Sequence, residues 1–107
     1  MQKRYQVLIP EWLEDYIKFG VEKYGLSFSE LLRLEICLSV ISTMDALYPE
    51  YKTAFSAKEV FQAIQRYAKG KVDKREVDKI ISKIYFEARK AIEFRFSKEK
   101  YVTEIEK

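Results

Sequence analysis

The chain has 107 residues, 48% apolar and 15% aromatic, which suits one domain or a small module with an extension packed on it. No run of eighteen apolar residues and no basic-then-apolar leader occurs, so neither a transmembrane helix nor a secretory signal is expected, and the cytoplasm is the expected location. There is no histidine and one cysteine, which removes the usual zinc sites, an intrachain disulfide and every histidine-dependent catalytic arrangement.

The net charge of +3 is unevenly spread. Residues 1–53 carry six Lys/Arg against eight Asp/Glu, whereas residues 54–107 carry fourteen against nine. A basic half is compatible with phosphate contact and equally with a solvated surface. Asparagine is absent, and Lys, Glu, Ile and Tyr are abundant, a bias that fits a thermophilic source because Asn is thermolabile and charge networks gain value with heat.

In chain order, residues 3–9 alternate as a short strand, with Tyr5, Val7 and Ile9 on one face and Arg4, Gln6 and Leu8 on the other. Pro10 ends a ladder and suits a helix start. Glu11, Glu14 and Asp15 then favour the N-terminal end of a helix over roughly 11–24. Its buried stripe is Leu13, Ile17 and Val21, with Trp12, Tyr16 and Phe19 alongside. Gly25 supplies a residue able to take the left-handed conformation that ends helices.

Ser27-Phe28-Ser29-Glu30 is a capping box, and it opens a second helix from Phe28 to about Leu47. That helix is apolar nearly all the way round, so a partner chain or the C-terminal half must cover it. Tyr48-Pro49-Glu50-Tyr51 marks a connection. A third helix follows a second capping box, Ser56-Ala57-Lys58-Glu59, and ends at Gly70. Asp73-Lys74-Arg75-Glu76 opens a fourth, whose inward face is Val77, Ile80–Ile81, Ile84–Tyr85, Ala88 and Ile92. Beyond Phe94, the residues Phe94, Phe96, Tyr101, Thr103 and Ile105 fit either a β-hairpin wing around Ser97–Lys100 or a fraying helix end; helix to about residue 96 is expected.

The order strand, Pro, helix, Gly turn, capped helix is carried by Arg4-Tyr5-Gln6-Val7-Leu8-Ile9-Pro10-Glu11 and by Tyr24-Gly25-Leu26-Ser27-Phe28-Ser29-Glu30-Leu31-Leu32-Arg33. Residues 3–44 thereby resemble the ribbon-helix-helix family of the Arc and MetJ repressors. The resemblance implies a mainly α fold: residues 1–47 as an intertwined DNA-binding and dimerisation unit, residues 48–107 as a helical extension packed on it. It implies a homodimeric transcriptional regulator, a repressor or activator, that inserts a two-stranded antiparallel ribbon into the major groove of double-stranded DNA. One short strand and two helices bury too little surface to stand alone, which is why such a unit pairs.

Roles follow from chemistry. On the outward face Arg4 suits guanine and Gln6 suits adenine. Leu8 stands where the family usually carries a polar residue; it suits a thymine methyl, or signals that the ribbon serves another partner. Lys3 suits a phosphate. Amides at Phe28 and Ser29, beside the Ser27 cap, suit a second phosphate contact.

Other features are expected to be structural: Glu35 an exposed or paired charge, Cys37 a buried small hydrophobe, Trp12 and the tyrosines core or interface material. Lys79, Lys83, Arg89 and Lys90 suit either phosphate contact along a longer operator or a solvated face paired with Asp78, Glu87 and Glu93, and the solvated face is expected. No Gly-rich phosphate loop, nucleophile set or ligand cluster is present, so neither catalysis nor a cofactor is expected. The alternative class is a non-catalytic interaction module that uses the fold only to dimerise. An antitoxin-like regulator is the other variant, disfavoured by a C-terminal half that looks folded. A second protein partner through residues 48–107 stays open.

Overall fold

The computed structural model describes residues 2–51 and 57–102, and for Ala57 its backbone only. The described residues form four helices: α1 (Glu11–Tyr24), α2 (Phe28–Leu47), α3 (Ala57–Ala68) and α4 (Lys74–Lys98).

The boundaries follow local chemistry. Pro10 holds the position before α1, and the amides of Leu13 and Glu14 bond its carbonyl at 3.0 and 3.1 Å. Gly25 ends α1 at φ 70°, and its amide returns to the Val21 carbonyl, a left-handed turn that costs a non-glycine residue about 1–2 kcal/mol. At the start of α2 the capping box closes fully. The Glu30 amide donates to the Ser27 hydroxyl, and the Ser27 amide donates to the Glu30 carboxylate, both at 3.1 Å. Asp73 caps α4 by accepting from the Glu76 amide. Ser56, in the proposed cap of α3, lies outside the described residues.

Packing joins all four helices in one apolar cluster. Ile17 of α1, Leu31, Leu34, Leu38 and Ile41 of α2, Val60 and Ile64 of α3, and Val77, Ile81 and Ile84 of α4 are buried together with Leu26 of the first turn. Gly20 lets α1 and α2 approach closely, since a Cβ there would lie 2.5 Å from a Leu31 methyl. α2 packs against α4 on one side and α1 on another. The two begin together, where Lys74 Nζ meets Glu30 Oε2 at 2.9 Å, and end together, where the Tyr48 ring stands edge-on to Phe94 at 5.6 Å. They therefore run in the same direction, and α3 is the return between them.

One expectation is corrected. Residues 2–10 form no strand, and no sheet exists among the described residues, so the ribbon-helix-helix architecture does not describe this chain, although mainly α does. Alternation records which face a segment would offer a neighbouring strand; it provides no hydrogen-bonding partner, and among the described residues no second strand lies beside this one. At the C-terminal end the expected helix, and not the alternative hairpin, is present among the described residues. α4 continues to Lys98, and Tyr101 folds back so that its amide bonds the Phe96 carbonyl at 2.8 Å and its ring meets the Phe96 ring at 4.9 Å. Thr103 and Ile105 lie outside the described residues.

Candidate nucleic-acid interface

The residues proposed to touch DNA fall into two groups. Lys3, Arg4, Gln6 and Leu8 lie on an N-terminal arm whose residues 2–8 are all exposed. Only Ile9 reaches the core, against which it packs. The apolar face expected to turn inward is uncovered, with Tyr5 at 78% and Val7 at 74% exposure. Neither Lys3 nor Arg4 forms an ion pair with a described residue.

Ser27, Phe28 and Ser29 form the second group, at the start of α2. The capping box engages Ser27 and the amide of Glu30, while the amides of Phe28 and Ser29 meet no protein acceptor among the described residues. Glu30 places a carboxylate at the same helix end. Its charge is answered by Lys74, which bridges Glu30 and Asp78 at 2.9 and 3.3 Å. The Lys74 hydrogen bond, followed by the Ser27 amide, holds the Glu30 carboxyl below the ordinary glutamate range. Burial works against the Lys74 charge, but its bonds to Glu30 and Asp78 outweigh that and hold its pKa above the usual lysine value.

The chain does not bring the two groups together. The arm enters α1 at its start and the α2 group follows its end, with 14 helical residues between them, about 20 Å at 1.5 Å per residue.

Beside the arm runs an apolar strip. Trp12, Tyr16 and Phe19 follow i, i+4, i+7 spacing along α1 and are 71%, 59% and 58% exposed. They were expected beside a buried stripe; instead α2 covers the Ile17–Gly20 side of α1 and leaves this one open. Leu32 and Ile36 of α2 are exposed too. Glu35 is half-buried in a groove with Tyr16, Phe19 and Phe61, and pairs with no described cation. Arg33 instead donates to the Tyr85 hydroxyl at 3.4 Å.

Other assignments fall out as follows. Cys37 is half-buried, and burial pushes its thiol pKa up, away from the reactive thiolate. Arg89 pairs with Glu93 and Lys90 with Glu87, as expected for a solvated face, but Asp78 pairs with Lys74, and Lys79 and Lys83 have no ion-pair partner among the described residues. No helix among the described residues is long and apolar enough to cross a membrane.

Comparison with family models, with curated proteins and with solved structures finds no match.

Proposed function

We propose that this chain is a cytoplasmic, homodimeric, sequence-specific DNA-binding regulator of transcription, non-catalytic and without a cofactor. The observation that carries the reading is the arm itself. Lys3, Arg4 and Gln6 are exposed beside large apolar side chains that are themselves exposed, and Lys3 and Arg4 have no ion-pair partner among the described residues. Contiguous apolar exposure of this kind marks an interface on a soluble chain, and basic, amide-bearing side chains on the same segment suit phosphates and base edges.

The division of labour follows from residue type. Trp12, Tyr16 and Phe19, with Tyr5 and Val7, are the dimer contacts. Arg4 and Gln6 are the base-reading pair, Lys3 meets a phosphate, and Leu8 is placed for a thymine methyl. Without a strand ladder, these contacts are made by individual arm side chains. The α2 start (Ser27, Phe28, Ser29) is a separate phosphate contact, served by free amides and a positive helix end.

One observation favours a second reading, a protein-interaction module. Leu8 is fully exposed next to exposed Val7, which suits an apolar protein pocket at least as well as a groove. Sedimentation velocity, with and without a fluorescent duplex, separates the two. The regulator reading requires a dimer that binds the duplex as two protomers. A dimer that leaves the duplex free at low salt would instead identify an interaction module.

A further inference from the structure

The arm accounts for little of the chain's basic charge, most of which lies in residues 54–107. Between Arg66 and Lys83 there are seven Lys/Arg and three Asp/Glu. Two of the three acids are already engaged: Asp73 caps α4, and Asp78 pairs with Lys74. Glu76 is the third. Lys74 is the one cation of this stretch in an ion pair with a described residue; Arg66, Lys69, Lys71, Arg75, Lys79 and Lys83 are exposed without one.

Three of these free cations share a face. The core of α4 is Val77, Ile81, Ile84 and Ala88, and at 100° per residue Arg75 and Lys79 point directly away from it, with Lys83 at their flank. Ser82, Asp78 with its bond to Lys74, and exposed Phe86 share that surface, and Glu76 lies at its edge on the side of Lys83. The next turns differ in kind. Arg89 and Lys90 are tied to Glu93 and Glu87, and Lys90 also covers the Phe86 ring at 5.2 Å. Along α4 three cations without an ion-pair partner among the described residues, Arg75, Lys79 and Lys83, thus gather near its start, whereas Arg89, Lys90 and Arg95 nearer its end are each ion-paired. A merely solvating face has no reason to segregate its charges in this way.

From this segregation we infer that the outer face of the first half of α4, carried by Arg75, Lys79 and Lys83, is a second DNA-contacting surface that engages duplex phosphates. This rests on the DNA-binding reading and adds to it a surface far along the chain from the arm. The shape and chemistry fit duplex better than an acidic protein. Ion-paired protein interfaces surround an apolar centre, and here a single aromatic ring stands among the cations. A lone helix face fits a major groove about 12 Å wide. From Arg75 to Lys83 the helix advances about 12 Å, so the three cations meet a phosphate ridge along their length. Lys69 and Lys71, on the turn before α4, continue the charge.

The test is fluorescence anisotropy on a random duplex across a salt series. It compares wild type, Arg75→Gln/Lys79→Gln/Lys83→Gln, and the control Arg89→Gln/Lys90→Gln. None of the three test side chains makes an ion pair with a described residue, so thermal unfolding should show the triple variant folded like wild type. Each lost phosphate contact flattens the log–log salt slope by about 0.9. The expected result is therefore a slope shallower by about 2 to 3, with affinity down on the order of 100-fold at 0.1 M salt. The control variant is expected to stay close to wild type. Unchanged binding by the triple variant would overturn the inference and leave the arm as reader. An equal loss in the control would also overturn it, because net charge and not this face would then govern binding. Wild type that fails to bind duplex at low salt would remove both this inference and the reading beneath it.

Discussion

Gly20→Ala tests the packing that holds α1 to α2, because two effects of opposite sign meet at that position. At an open helical site the change gains about 1 kcal/mol, the propensity difference between the two residues. At Gly20 the new Cβ would stand 2.5 Å from the Leu31 Cδ2, about 1 Å inside the 3.5–4.0 Å at which carbons attract. Leu31 is buried among Ile17, Leu34 and Leu38 and has little room to rotate. Overpacking of a close-packed core costs about 1–3 kcal/mol. The two effects sum to a loss between about zero and 2 kcal/mol. Urea unfolding followed by circular dichroism measures it, at one fixed protein concentration because association shifts apparent stability. Leu31→Ala supplies the confirming arm: alone it loses about 2–5 kcal/mol, and in the Gly20→Ala background the vacated volume accepts the methyl, so the double variant loses less than the sum by about 1 kcal/mol or more. A Gly20→Ala protein about 1 kcal/mol more stable than wild type, with additive behaviour in the double variant, would refute the close approach of the two helices.

Three further outcomes are expected. Glu30→Gln tests the clamp between the starts of α2 and α4. The Glu30 pKa is held below its ordinary value of 4.5, so its contribution is present above that pH and is lost as pH falls through the folded value; acid titration of stability should be flatter in the variant, and an identical acid limb would show the clamp to be inert. Trp12→Ala with Tyr16→Ala removes most of the α1 strip, and sedimentation equilibrium should show dissociation to monomer without loss of helical signal, whereas an unchanged association state would place the dimer contact elsewhere. Cys37 should react with a thiol reagent slowly in the folded protein and quickly in denaturant, since burial raises its pKa; equal rates would show the α2 surface around it to be open.

What the sequence disclosed was the local chemistry. Pro10, Gly25, the Ser27–Glu30 box and Asp73 each act within four residues of themselves, and the helices start and stop where these residues place them. Pairings over distance were not legible. That Lys74 would meet Glu30, 44 positions away, depends on α2 and α4 running side by side, and no pattern in either segment encodes that. Gly20 carried no signal for the same reason: inside a helical stripe it looks like a weak helix former until Leu31 is placed opposite it. The strand expected over residues 3–9 was the costliest inference. Its alternation is real, but a strand is a property of two segments, and the described residues supply one. The uncommitted state of Lys79 and Lys83 was equally hidden, because it turns on Asp78 having chosen Lys74. Among the candidate site residues, exposure of Lys3, Arg4, Gln6 and Leu8 could be guessed from their types, whereas the exposure of Tyr5, Val7 and Trp12 could not.

The most direct measurement is fluorescence-anisotropy binding of random duplex DNA across a salt series by wild type and by the Arg4→Ala/Gln6→Ala double variant. The account predicts that wild type binds with a steep salt dependence and that the double variant loses most of that affinity while remaining a folded dimer. Absence of wild-type binding even at low salt would contradict the central claim and leave a dimerisation module acting on another protein.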